Sequence, residues 1–402
     1  MNDPSRRLRR ILMTADPVGG VWTYAVELAR GLGRHGIQVA LAAMGGPLSA
    51  SQRAEVQGMP GLTVFESTFK LEWMEDPWSD VARAGDWLLH LEEVIQPDII
   101  HLNSYVYGAL SWRAPTLIVG HSCVLSWWEA VKGEAAPNTW ERYRHEVARG
   151  LHGADLVLAP TQAMLAALAR HYGRFRRACV VPNGRDPGLF PLAIKEPFIF
   201  AVGRLWDEAK NVAMLDKVAS SLAWPVYVAG EDQHPAGWQV HYRAVRALGR
   251  LSPPALAHWL ARAAIYVLPA RYEPFGLSIL EAGLAGCALV LGDIPTLREL
   301  WDDAALFVSP DDADALATTL KTLSRDRSRV AELAARARIR ARQFTPQRML
   351  IGHLAAYREL LHTRQPRERR RSRGQRRTTV ISLPATIERK HDDEDRTGRA
   401  AL

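Results

Sequence analysis

RYEPFGLSILEAGLAG, residues 271–286, holds Glu273 and Glu281 on either side of the turn Pro274-Phe275-Gly276, with seven residues between them. The apolar run Tyr266-Val267-Leu268-Pro269 leads in. This pattern predicts a buried strand, a glycine turn and a helix opening near Leu277. The free N–H groups at such a helix start suit an anion, a diphosphate among them. Glu281 lies about one turn into the helix, on the face that looks back at that anion. A carboxylate there repels phosphate, so it accepts hydrogen bonds from neutral hydroxyls such as those of a ribose. Glu273, before the turn, can do the same for sugar hydroxyls. The pattern points to a nucleotide-sugar site.

Outward from this stretch, apolar runs alternate with amphipathic segments along most of the chain. In the first half, strands are expected over 8–13, 37–43, 62–65, 99–102, 116–119, 156–159 and 179–181. Helices are expected over 21–32, 80–95, 140–151 and 162–172. After an aperiodic, Pro- and Gly-rich segment at 182–197 the alternation resumes. Strands are expected there over 198–202, 226–229, 265–268, 288–291 and 306–307. Helices are expected over 211–222, 252–263, 277–285, 313–324, 328–344 and 346–361. Such βα alternation predicts an α/β fold of parallel, doubly wound sheets. The expected organisation is a first Rossmann-like domain over 1–190, a second over 191–345, a crossover helix over 346–363 and a disordered charged tail over 364–402. Ligands then belong at the carboxyl ends of both sheets, in the cleft between them.

Other residues fall at the same kind of position. VGRLWDEAKN, residues 202–211, sets Arg204 and Lys210 in a strand-to-helix loop, where two cations can pair with diphosphate oxygens and stabilise a departing nucleotide. Gly19-Gly20 follows the first strand and lets backbone approach a ligand at a helix start. No full G-x-G-x-x-G accompanies it. GHSCVLSWW, from Gly120, puts His121 at a strand end and Trp127 and Trp128 nearby. Tryptophans stack on sugar faces, and more often simply pack.

Taken together, these motifs resemble the retaining GT-B glycosyltransferases of the "glycosyl transferases group 1" family, strongly over 198–320 and more loosely over 10–182. The resemblance implies that Glu273 contacts the donor sugar and Glu281 the ribose, with Phe275, Gly276, Leu277 and Ser278 around the diphosphate. It implies that Arg204 and Lys210 hold the leaving group, that Gly19 and Gly20 reach toward donor and acceptor, and that His121 bonds a sugar hydroxyl. Gly230 resembles the family's glycine loop beside the base. Arg185 departs from it, replacing the small apolar residue usual after the Asn183-Gly184 turn. The implied activity is transfer of a sugar from a nucleoside diphosphate sugar to a hydroxyl acceptor with retention, without metal or other cofactor. Neither Asp302-Asp303 nor Asp392-Asp393 is placed in the expected cleft as a metal pair. A nucleotide-sugar epimerase, which needs no acceptor, and a non-catalytic nucleotide-sugar scaffold remain open beside it.

Composition narrows the setting. At 402 residues, 48% hydrophobic and 23% charged, the chain has the make-up of a soluble globular protein. Three scattered cysteines without metal-ligand spacing suit a reducing, cytoplasmic compartment. The start reads as lacking a secretory signal. Of the net charge of +8, the stretch 364–402 supplies +6, with 12 Lys+Arg against 6 Asp+Glu. The nearly neutral remainder argues against specific nucleic-acid binding. If the acceptor is lipid-linked, the arginines Arg6, Arg7, Arg9 and Arg10 can rest on anionic membrane as a peripheral contact.

Overall fold

Two parallel sheets carry the alternation read from the sequence. A computed structural model describes residues 7–234 and 237–363. Arg6 and the stretch 364–402, on which the membrane and tail expectations partly rest, lie outside these residues. The first sheet contains β1 (Arg10–Ala15), β2 (Gln38–Ala43), β3 (Leu62–Glu66), β4 (Ile99–Leu102), β5 (Thr116–Val119), β6 (Leu156–Ala159) and β7 (Ala178–Val180), in the order β3-β2-β1-β4-β5-β6-β7. The second contains β8 (Glu196–Val202), β9 (Val226–Ala229), β10 (Arg246–Ala247), β11 (Ala263–Leu268), β12 (Ala288–Gly292) and β13 (Leu306–Val308), in the order β10-β9-β8-β11-β12-β13. The chain forms two Rossmann-like α/β domains.

The strands are apolar on both faces because helices cover both sides. Along β1, Ile11 and Met13 belong to one buried layer and Leu12 to the other. Ile11 sits opposite Val39 on one side and Ile99 on the other. In each sheet the order reverses beside its first strand, at β1/β4 and at β8/β11. Such reversals open a crevice at the carboxyl ends of the strands.

The last helix, Pro346–Thr363, packs on the first sheet: Met349, Leu350, Tyr357 and Leu360 join the core layer of Ile11 and Leu28. A buried polar chain fixes it there. His353 Nδ1 lies 2.8 Å from the Met349 carbonyl, so that nitrogen carries the proton and Nε2 accepts from the Tyr24 hydroxyl at 2.6 Å. Tyr24 in turn accepts from His101 Nε2 at 3.2 Å, and His101 Nδ1 accepts from the Tyr357 hydroxyl at 2.6 Å. The two bonds in which a ring nitrogen accepts, at His353 Nε2 and His101 Nδ1, require neutral imidazole. Burial pushes His353 down to about 4 and His101 well below the usual histidine range, with the neighbouring His353 adding to the effect on His101.

Three helices lie outside the sequence expectations: Ala50–Val56, Val124–Lys132 and Pro295–Trp301. The helix expected over 211–222 runs Val212–Ala219. Asn211 takes left-handed backbone, φ 56°, while its side-chain amide ties to the carbonyls of Pro269 and Pro310. Among the described residues no helix is long and apolar enough to cross a membrane.

Candidate functional site

The segments that follow β1, β4, β5, β8, β9 and β11 approach one another where the two domains face each other. From the second domain, β8 delivers Arg204 and Lys210. The Lys210 ammonium lies 2.7 Å from the Glu273 carboxylate, so the cation and the first glutamate meet across β8 and β11. Both side chains are largely buried. Arg204 pairs with Asp207 at 2.8 Å, and its guanidinium packs on the Trp206 ring, 5.1 Å from the centroid.

Asp207, which the sequence reading passed over, organises both cations. It is only 6% exposed. Burial pushes its carboxyl up, but Arg204, Lys210, the Trp127 indole N–H and the Ala209 amide outweigh that and hold it below the usual carboxylate range. Its place three residues after Arg204 and three before Lys210 was the available signal. Trp127 donates to Asp207 Oδ1 at 3.0 Å from the first domain. That bond gives Trp127 a bridging role.

The glycine turn takes the form read from the sequence. Gly276 has left-handed backbone, φ 84°, and starts the helix Leu277–Leu284 with no side-chain cap. The amides of Leu277 and Ser278 therefore have neither an intrahelical acceptor nor a capping side chain, while the Ile279 N–H already bonds the Gly276 carbonyl at 3.0 Å. Ser278 Oγ accepts from the buried Tyr266 hydroxyl at 2.8 Å. The Phe275 ring faces the core, edge-on to Phe344 at 5.7 Å, leaving only its backbone at the turn. The Phe275 N–H approaches Glu273 Oε1 at 3.4 Å.

Glu281 is 7% exposed. Its Oε1 accepts from Arg185 Nε at 2.9 Å. Burial raises its carboxyl above the usual range, and the Arg185 charge and hydrogen bond draw it back only in part.

Gly230 explains the backbone geometry beside Arg204. It sits at φ 145°, and a Cβ there would lie 1.7 Å from the Gly203 carbonyl oxygen. Its N–H bonds the Gly249 carbonyl at 2.9 Å. Gly230→Ala should therefore cost at least about 3 kcal/mol of stability through combined clash and strain. A denaturant midpoint checks this; a loss under about 1 kcal/mol would mean that the loop yields freely.

From the first domain, Gly20 faces Leu277 across the cleft: a Cβ at Gly20 would meet Leu277 Cδ1 at 3.3 Å. Gly19, at φ 97°, would meet nothing within 4 Å. His121 lies 2.8 Å from Asn103 Oδ1 through Nε2. Asn103 Nδ2 donates to the Thr14 carbonyl at 2.6 Å, which fixes Oδ1 as acceptor and places the His121 proton on Nε2. Nδ1 is left as a lone-pair acceptor able to accept a hydrogen bond from a hydroxyl. The ring stands edge-on to Tyr24 at 4.5 Å. Burial, then the neighbouring His353, pushes His121 down to about 3, so it acts as a neutral group.

Asp16, also unforeseen, follows β1. Its Oδ1 accepts from the Val18 N–H at 2.7 Å. Burial pushes its carboxyl up to about 7, against the pull of the Val18 N–H and of Arg204; Glu72 adds to the rise. Asn103 and Asp16 were findable only as polar residues just past apolar strands.

The two domains meet around this cleft. Cys123 N–H donates to the Tyr272 hydroxyl at 3.0 Å, Thr161 Oγ1 to the Pro274 carbonyl at 3.1 Å, and Glu299 caps the amides of Gln162 and Ala163. Among the described residues, no group of three or more His, Cys, Asp or Glu is placed to hold a metal ion. Asp302 and Asp303 pair instead with Arg298 and Arg340. The arrangement offers two cations and uncapped amides for an anion, with three hydroxyl acceptors in Glu273, Glu281 and His121.

Comparisons with known proteins bear on the family and the fold. Residues 18–189 match the model of Glycosyltransferase Family 4, and residues 196–326 that of Glycosyl transferases group 1. The chain is 32% identical to O-antigen chain mannosyltransferase B of Escherichia coli over 31% of its own length and 34% of the relative's. It is 28% identical to glycogen synthase of Mycobacterium tuberculosis over 65% of this chain and 64% of that one. It is 26% identical to D-inositol 3-phosphate glycosyltransferase of Xylanimonas cellulosilytica over 81% and 88%. The chain thus spans between a third and just under two thirds of the first two of these relatives. Among solved structures, sucrose-phosphate synthase from Thermosynechococcus elongatus superposes with a TM-score of 0.76 at 20% identity, covering 88% of this chain and 99% of that one. HepE of Anabaena, solved with UDP-glucose, gives 0.68 at 17% identity over 87% and 99%.

Proposed function

Because the chain belongs to the glycosyl transferases group 1 family and has its two-domain GT-B fold, we propose that it transfers a sugar from a nucleoside diphosphate sugar to an acceptor hydroxyl, with retention and without a metal. The observation that carries this reading is the Lys210–Glu273 pair beside Arg204, opposite Gly20 and His121. In this reading the diphosphate lies between Arg204, Lys210 and the amides of Leu277 and Ser278. The ribose hydroxyls donate to Glu281. Glu273 and His121 Nδ1 accept from the sugar hydroxyls. HepE, of the same fold, was solved with UDP-glucose, which supports a nucleotide-sugar donor.

The reaction breaks the bond between the anomeric carbon and the diphosphate oxygen. A bond forms from the acceptor oxygen to the same face of that carbon. The acceptor proton passes to the departing phosphate oxygen. Arg204 and Lys210 neutralise the charge that develops on the leaving group. That is the task a divalent ion performs elsewhere. Incubation with nucleotide sugars and a panel of hydroxyl acceptors, with a chelator present, tests the reading. Product carrying the donor's own anomeric configuration is expected. Inverted product, or turnover only after metal is restored, would refute retention or metal independence. Donor interconversion without an acceptor would identify an epimerase instead.

Asp16 sets a pH dependence. Below about pH 7 it is protonated and neutral beside Arg204. Above that, its charge competes with the diphosphate for Arg204. Affinity for a nucleoside diphosphate sugar should fall roughly five- to tenfold as pH rises through this point. Asp16→Asn should hold it level, as calorimetry across about pH 6–8 would show.

Peripheral membrane contact is part of the same proposal. Arg7, Arg9 and Arg10 are exposed, although the Arg10 guanidinium already bonds the Ile95 carbonyl. Binding to anionic but not neutral vesicles, weakened by salt, is the expected result. No binding at low salt would exclude it.

A further inference from the structure

Arg185 occupies a position that the proposed mechanism leaves without a role. It lies in the connection between the domains, just past the Asn183-Gly184 turn, and its N–H is anchored on the Phe344 carbonyl at 3.1 Å. Its guanidinium packs on the Phe190 ring, 5.4 Å from the centroid. From there Nε donates to Glu281 Oε1 at 2.9 Å and Nη1 to Glu27 Oε2 at 3.2 Å. Glu281 belongs to the second domain, and Glu27 to the helix Gly20–Arg34 of the first. Both carboxylates are buried, and Arg185 itself is 13% exposed. One side chain in the connection thus joins two buried carboxylates, one from each domain.

The charges balance. Arg30 approaches Glu27 at 3.6 Å, so two carboxylates face two guanidinium groups. Arg34 and Asp186 act on Glu27 at longer range, and Glu281 also acts on the hydroxyl of Tyr266 on β11. The bond to Arg185 takes one oxygen of Glu281 and gives the carboxylate a fixed orientation. A buried carboxylate without a cation takes up a proton and can no longer accept from two hydroxyls.

We propose that Arg185 is a positioning residue of the donor site: it keeps Glu281 charged and aimed at the ribose, and it couples that carboxylate to the first domain through Glu27. This rests on the nucleotide-sugar reading of the cleft. Arg185 touches neither the sugar nor the reacting atoms. Its effect therefore falls on donor binding and leaves the turnover of bound donor nearly unchanged. The group 1 resemblance implies a small apolar residue here, so Arg185 departs from that pattern.

The test compares wild type, Arg185→Leu, Arg185→Lys and Glu281→Ala by calorimetry with UDP, GDP and ADP, and by donor KM and kcat, across about pH 6–8. Taking the difference between proteins cancels ionisation of the probe and of Asp16. Arg185→Leu should weaken binding of the preferred diphosphate about tenfold at the upper end of the range. The gap should widen as pH falls, by up to about tenfold per unit, because Glu281 then protonates before it binds. Arg185→Lys should recover most of the affinity and flatten the added slope. Should Arg185→Leu fold poorly, Arg185→Leu combined with Glu27→Gln removes the second unpaired charge and must show the same slope. A uniform, pH-independent weakening would mark Arg185 as merely structural and overturn the proposal. Loss of binding in Glu281→Ala with none in Arg185→Leu would overturn it while leaving the donor reading intact. No diphosphate binding by wild type would overturn both.

Discussion

Lys210→Ala should slow sugar transfer about 100- to 1000-fold, with most of the loss in kcat. The ammonium is held 2.7 Å from Glu273 and shares the field of Asp207 with Arg204. It is therefore fixed before substrate arrives and pays little reorganisation when charge develops on the leaving diphosphate. Arg204, paired with Asp207 and half-covered by Trp206, can only partly replace it. Removing Lys210 also leaves Glu273 without its partner, so a melting midpoint must be read beside the rate. A variant that keeps its fold and its rate within about tenfold of wild type would place the developing charge elsewhere.

The second large effect is expected at Glu281. Glu281→Gln should raise donor KM about 10- to 100-fold, the worth of hydrogen bonds to a buried charged acceptor. It keeps the shape of the side chain, but its amide turns a donor toward either Arg185 or the ribose. With Arg185 already donating to Oε1, the carboxamide oxygen is drawn to Arg185 and the NH2 is presented to the hydroxyls. Measuring KM and kcat separately checks this. An unchanged donor KM would show that the ribose does not meet Glu281.

Much of the fold was legible because buried parallel strands are continuous apolar runs. β4, β5, β6 and β9 coincide with the expected strands residue for residue, each followed at once by Asn, Gly or Pro. The helices that escaped are short or weakly patterned. Ala50–Val56 spans under two turns, although Ser49 and Gln52 form a capping box that signals its start. Val124–Lys132 buries only Leu125 and Ser126 and leaves Trp127 and Trp128 half-buried, Trp127 bonded to Asp207 of the other domain, so its apolar residues form no simple core stripe. The two-residue β10 has no periodicity to read.

The site divides in the same way. Arg204, Lys210, Glu273, His121 and the glycines sit in loops at strand carboxyl ends, and parallel topology gathers those of each sheet at one end. Asp207, Asn103 and Arg185 act through partners that the sequence does not reveal. Arg185 and Glu281 lie 96 residues apart, and their pairing depends on how the domains meet. A resemblance to other sequences is equally silent there, since Arg185 departs from the family pattern. Burial is the other missing quantity. It makes His121 neutral and brings Asp16 to about 7, and both follow from packing that no motif encodes.

The most direct test of the central claim is the thermal midpoint of the full chain with UDP-, GDP- and ADP-sugars, for wild type, Lys210→Ala and Glu281→Gln. Ligand that binds only folded protein must raise the midpoint by mass action. Stabilisation by the sugars of one base class, reduced in both variants, is the predicted result. No shift with any of them at millimolar excess would contradict a nucleotide-sugar site in this cleft.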